Sequence, residues 1–203
     1  MTVRIAIIVE VATEAGFKRS LLAFLAGRLA PGRNPKIQFI PSDGRIPKGN
    51  SLRRDVERLL STNDAVIALT DVYTGIQPHE FETAEIAKTK MHEWVGPESR
   101  FYPHAAQHDF EAWLLPYWPR IKALADSNRN SPSPHPETVN HDKPPSKHLA
   151  EVFRTGGKKR SYSKIRDGAA ILRNQDLAIS ATACPELKAF LNTILDLCGA
   201  AKL

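Results

Sequence analysis

The sequence is poor in cysteine: 203 residues contain only Cys184 and Cys198, and no CxxC pair. This excludes a disulfide framework and the usual structural zinc spacing, and both thiols are expected to be reduced core residues. Long apolar runs are also missing, with none approaching the ~18 residues that a membrane span needs. The chain opens directly on the strand pattern VRIAIIV rather than on a charged and apolar leader, so a cytoplasmic protein with no membrane partner is expected. There is no GxxxxGK[ST] loop, no GxGxxG after a strand, no GxSxG elbow and no HExxH pair. P-loop, dinucleotide, serine-hydrolase and zincin chemistries are therefore unsupported.

What the chain does have is a hydrophobic content of 42%, enough for a core of its own, and a formal net charge of +6. The charge is uneven. Lys143 to Arg166, KPPSKHLAEVFRTGGKKRSYSKIR, holds eight Lys or Arg against one Glu, and the remainder of the chain is close to neutral. Such a segment suits a polyanion such as nucleic acid, and equally describes a solvated basic loop.

Periodicity gives β-α-β-α-β for the first half. Strands are expected at 3–9, 36–40 and 64–70, with helices from Thr13 to about Leu29 and over SLRRDVERLL, where Ser51 is the expected N-cap. Apolar strands without alternation indicate a parallel sheet covered on both faces, hence a doubly wound α/β fold. A fourth strand is expected in RFYPHAA, followed by a helix from near His108 that Pro116 and Pro119 should kink or end. The chain divides into an α/β core over 1–125, a Pro, Ser and Asn rich loop over 126–145 expected to stay out of the core, and a basic helical subdomain over 146–203 packed on the core.

In a parallel sheet, ligands gather outside the carboxyl ends of the strands. Glu10 and Glu14 follow the first strand and Asp71 follows the third. Carboxylates brought to one crevice repel unless a cation lies among them, and hard oxygen donors suit Mg²⁺ or Mn²⁺. The alternative makes Glu14 a first-turn helix acid and Asp71 a turn residue. His108 and Glu111, at i and i+3, would share a helix face at the fourth strand's exit, as a metal ligand and a proton-transfer group or as a cap and a solvated acid. Trp113, Tyr117 and Trp118 are read as core rather than as base-stacking surfaces. Ser146, Lys147, Lys158, Lys159, Arg160, Tyr162 and Lys164 are candidate phosphate or nucleic-acid contacts in the basic segment.

A Glu after strand one and an Asp after strand three in a parallel α/β core resemble the Toprim fold of topoisomerases, primases and several nucleases. More narrowly, the chain resembles the Toprim-like family known as domain of unknown function 4276 (DUF4276). VEVATE resembles that family's VEGxTE, TDVYTGIQPHEF its DxYGLPxxF, QHDFEAWLL its HEFEALL, PETVNHDKPPSKHL its PExINxxxxxAPSKRL and ACPELKAFL its CPxFxxWL. By position, the resemblance implies a site of Glu10, Glu14, Asp71, His108 and Glu111, with Ser146, Lys147, Tyr162 and Lys164 as auxiliaries. It implies a Toprim-like sheet of about four strands with a helical C-terminal cap, magnesium-dependent phosphodiester cleavage of DNA or RNA, and an ATPase partner in a bacterial anti-phage defence system. The sequence departs from the pattern at Val11, where the family has Gly, and at Tyr73, where the parent fold's DxD has its second Asp. Glu14, His108 or Glu111 then has to compensate. The alternative function is a non-catalytic module that binds nucleic acid or a nucleotide, or that docks on an ATPase.

Overall fold

The computed structural model describes residues 2–10, 15–42, 44–72, 80–139 and 143–203. The expected strands form, as β1 (Arg4–Val9), β2 (Lys36–Pro41), β3 (Ala65–Asp71) and β4 (Phe101–Ala106). All pairings are parallel, in the order β2-β1-β3-β4. The chain leaves β1 for one edge of the sheet and later resumes on its other side, so the switch in winding direction falls between β1 and β3. A crevice at the carboxyl ends of these two strands is where such a sheet receives ligands.

Side chains alternate across each strand, and both faces are apolar. Ile5, Ile7 and Val9 of β1, with Ile67 and Leu69 of β3, meet α1 (Ala15–Ala26) through Phe17, Leu21 and Leu25. On the other face Ala6, Ile8, Val66 and Ala68 meet α2 (Asn50–Leu60) and α3 (Ala84–Val95), through Leu52, Val56, Ala87 and Met91. The i, i+3, i+4 spacing of these helical residues is what turns one stripe of each helix to the sheet. Thr83 caps α3 by accepting from the Ile86 N–H at 3.2 Å. The expected cap of α2 is corrected: Gly49 precedes the helix with φ 52°, and Ser51 lies inside it.

The region after β4 differs from the expected single helix. Phe110–Tyr117 is a 3-10 helix, and α4 (Trp118–Ala125) follows it. Pro116 has no amide hydrogen with which to close an α turn, and Pro119 sits in the first turn of α4, where it starts a helix rather than ending one. The loop expected to stay out of the core also contributes to it. Pro136 and Val139 are buried, and Glu137 accepts from Trp113 Nε1 and the Glu186 N–H, each at 3.1 Å. Glu137 thereby holds the loop to both the 3-10 helix and the start of the last helix.

The C-terminal part comprises α5 (Pro145–Thr155), α6 (Lys164–Leu172), α7 (Leu177–Ala183) and α8 (Pro185–Leu197). Leu187, Phe190, Leu191, Ile194 and Leu195 of α8 join the same apolar cluster as β1 and α1. Trp113, Tyr117 and Trp118 are core residues, and Cys184 and Cys198 are buried free thiols. Among the described residues no helix is long and apolar enough to cross a membrane.

Two adjacent glycines after α5 test this packing. A Cβ on Gly156 would lie 2.0 Å from the Ala125 carbonyl oxygen, whereas on Gly157 it would meet the far end of the Asp126 side chain. Backbone cannot step aside and a side chain can. Gly156→Ala should therefore cost about 2 kcal/mol or more in urea unfolding, and Gly157→Ala clearly less. Equal costs would show that α4 and α5 are not closely apposed there.

Candidate active site

The acids at the carboxyl edge are held by backbone amides. Glu10 follows β1, and its Oε1 accepts from Thr70 Oγ1 at 2.5 Å and from the Asp71 N–H at 3.0 Å. Asp71 ends β3, and its Oδ1 accepts from the Phe110 N–H at 2.9 Å. Asp109 does not cap the 3-10 helix that it precedes; its Oδ2 accepts from the Ser146 N–H at the start of α5, at 3.0 Å. Glu111, only 1% exposed, has Lys164 Nζ 3.2 Å from Oε2 and Tyr162 OH 3.4 Å from Oε1. Lys164 reaches in from the first residue of α6, its side chain 46% exposed.

Burial and mutual repulsion dominate the electrostatics of this group. Burial raises Glu10, against the bonds from Thr70 and Asp71. Burial, then the Glu10 charge, lifts Asp71 well above the ordinary carboxylate range, with Asp109 and Glu111 adding to the effect and Lys164 opposing it. Asp109 is raised by burial against its bond to Ser146. Glu111 is pushed up to about 7 by burial and by Asp109, against Lys164. Burial lowers Lys164, but the carboxylates of Glu111, Asp71 and Asp109 reverse this and raise it overall. The cluster is short of positive charge.

The donor chemistry suits a hard divalent cation, since every candidate ligand is a carboxylate oxygen. Buried Asp109 Oδ1 also has no hydrogen-bond partner among the described residues. Among those residues, however, no three acid, His or Cys side chains already converge closely enough to hold a metal ion. Glu10, Asp71, Asp109 and Glu111 are the groups that could contribute oxygen donors to one.

The expected site residues are distributed unevenly. Glu10, Asp71 and Glu111 come to one edge, with Lys164 and Tyr162 beside them. Glu14, like Val11 and Tyr73, lies outside the described residues. His108 is buried, but its φ of 73° puts it ahead of the 3-10 helix, so it and Glu111 are not neighbours on one helix face as the i, i+3 spacing implied. Ser146 serves the site through its backbone. Lys147, Lys158 and Lys159 are exposed. Arg160 is held by buried Asp167 at 2.7 Å and lies over the Phe153 ring. Asp109 was missed as a site residue, because the HDFE stretch gives a cap-like position that hides a buried carboxylate.

The profile of the family described as Domain of unknown function (DUF4276) matches residues 9–195. Among solved structures, the C-terminal region of the Burkholderia pseudomallei OLD protein is similar at 13% identity and a TM-score of 0.54, over 98% of this chain and 100% of that one. The C-terminal region of the Xanthomonas campestris pv. campestris OLD protein aligns at 13% identity and a TM-score of 0.43, over 95% and 98%. No curated protein matches the chain.

The raised carboxyl of Glu111 carries a sign. It binds its proton more tightly folded than unfolded, so its contribution to stability falls as pH rises from the ordinary 4.5 to about 7 and is level above that. Buried His104, lowered to about 4 by burial and Lys88, acts in the opposite direction below its ordinary 6.5. The difference between wild type and Glu111→Gln isolates the acid. In metal-free buffer the wild type should lose stability relative to the variant across that window, by roughly 3 kcal/mol in total. A difference independent of pH would refute the assignment.

Proposed function

Starting from a chain that belongs to the DUF4276 family and has a Toprim-like fold, we propose that it is a divalent-metal-dependent phosphodiesterase acting on nucleic acid. One observation carries the reading: Glu10, Asp71, Asp109 and Glu111 gather where the winding direction switches, all raised by burial and all served by one ammonium. Groups kept in so unfavourable a state at a ligand-binding edge are more simply explained by a cationic ligand than by stability.

Mg²⁺ or Mn²⁺ bound there would offset this negative charge and polarise a phosphodiester and its attacking water. Glu10 and Asp71 would hold the cation, with Asp109 or Glu111 as a further donor. Glu111, with a pKa near neutrality, is suited to take the proton from the attacking water. The Lys164 ammonium stabilises charge on a non-bridging phosphate oxygen. His108 and Glu14 have no assigned step here. Contacts of this kind read phosphate rather than bases, so sequence preference should be weak. The further role implied by the family resemblance, an ATPase partner within bacterial defence, belongs to the same proposal, and co-purification of an ATPase with the tagged chain tests it.

The ion pair between Lys164 and Glu111 favours a second reading, a module that binds nucleic acid or docks on an ATPase without turnover. There the ammonium already supplies the cation, and no metal is needed.

The variants have to respect the architecture. Asp71→Ala would strand the Phe110 N–H, costing about 1–3 kcal/mol, whereas Asp71→Asn and Glu10→Gln keep an acceptor oxygen. Both conservative variants should retain the wild-type fold by circular dichroism, lose Mn²⁺ binding by calorimetry and lose at least 100-fold in DNA or RNA cleavage. Nucleic-acid binding with no cleavage and no metal uptake by the wild type would decide for the second reading.

A further inference from the structure

The basic segment separates into two populations. Arg160 and Arg166 both pair with buried Asp167, at 2.7 and 3.1 Å, and Lys164 pairs with Glu111. Lys143 and Arg129 both hold Glu151. Lys147 and Arg154 are different, because among the described residues no acid pairs with either.

Both lie on α5, whose orientation is fixed from two sides. Leu149, Val152 and Phe153 are buried, which turns Lys147, Ala150 and Arg154 outward. The helix start is tied to the acid cluster through the bond from the Ser146 N–H to Asp109. The outward face lines a groove of about 450 Å³ together with Lys143 and Glu151. Glu151 is the groove's acid, and two cations already neutralise it. Ala150 lies between the two unpaired cations and leaves room for a chain to approach.

We infer that this groove is a nucleic-acid track: the outer face of α5 holds the phosphodiester backbone flanking the bond presented to the acids, with Lys147 and Arg154 as its phosphate contacts. The inference rests on the phosphodiester reading of the acidic site. Lys147 and Arg154 are about two turns apart, roughly 10 Å along the helix axis, which matches about three nucleotide steps along one strand of a duplex. The helix that lines the groove is bonded at its start to an acid of the site, so the track and the carboxylates share one element. Lys158 and Lys159, on the turn beyond α5, belong to the far end of the track or to solvent. A phosphate-only track does not discriminate DNA from RNA.

Binding without turnover isolates the track from the chemistry. Fluorescein-labelled DNA and RNA duplexes of the same sequence would be titrated with the full chain in EDTA, from 50 to 300 mM salt. Lys147→Ala with Arg154→Ala should make the log-log salt slope shallower by about 2 and weaken binding about tenfold at 100 mM salt, alike for both duplexes. The control is Arg33→Ala with Lys36→Ala, the same charge change at the opposite end of the strands, and it should leave the slope near wild type. Equal loss in both pairs of variants, or no loss in the α5 pair, overturns the track and leaves this face to an acidic protein partner. Cleavage is then assayed with Mg²⁺ on the same proteins. A track that holds while the wild type fails to cleave removes the enzymatic reading alone, and cleavage that persists with an unchanged slope removes the track alone.

Discussion

The constraint on which this structure turns is a set of long-range bonds in which each acid of the candidate site holds a segment distant from it in the chain. Glu10, from the end of β1, binds the Asp71 N–H; Asp71 binds the Phe110 N–H; Asp109 binds the Ser146 N–H; and Glu111 pairs with Lys164 of α6. Four carboxylates thereby join the sheet, the 3-10 helix, α5 and α6. Carboxylate bonds to amides or an ammonium are stronger than neutral ones, and they partly offset the cost of burying like charges together. The same groups are candidates for chemistry and for architecture, so removing a side chain tests both at once while an isosteric amide separates them.

The fold supplies the place. Parallel strands covered on both faces leave only their ends open, and the order β2-β1-β3-β4 puts the switch in winding direction between the strands that end in Glu10 and Asp71. The C-terminal helices share the apolar cluster of β1 and α1, which carries the start of α5 and Lys164 to that edge. The basic segment is accordingly less a loose cationic tail than a set of cations sorted by geometry. Asp167 and Glu151 take up several of them, Glu111 takes Lys164, and the outer face of α5 keeps two that no acid among the described residues pairs with.

Much of this was legible in the residues. Unalternating runs such as RIAIIV and AVIALT gave the parallel sheet, and the positions after them gave Glu10 and Asp71. Local rules misled where tertiary contacts decided the outcome. His108 and Glu111 have helical spacing, but the chain enters the helix only at Phe110. Pro119 reads as a helix end, yet a proline serves equally at a first turn, and which applies depends on what precedes it. A stretch as polar as 126–145 reads as solvent-facing, but Glu137 finds Trp113 Nε1 and the Glu186 N–H and so brings Val139 into the core.

The sequence by itself determined the strands and the family and pointed to Glu10, Asp71 and Glu111 as candidates, because hydrophobic period, motif spacing and position after a strand are properties of neighbouring residues. Only the tertiary structure decided that Asp109 joins those acids, that Lys164 is their cation, that Arg160 is committed to Asp167, and that Lys147 and Arg154 pair with no acid among the described residues. These are pairings between residues far apart in the chain, and a charge in a linear sequence carries no record of the partner that burial will give it.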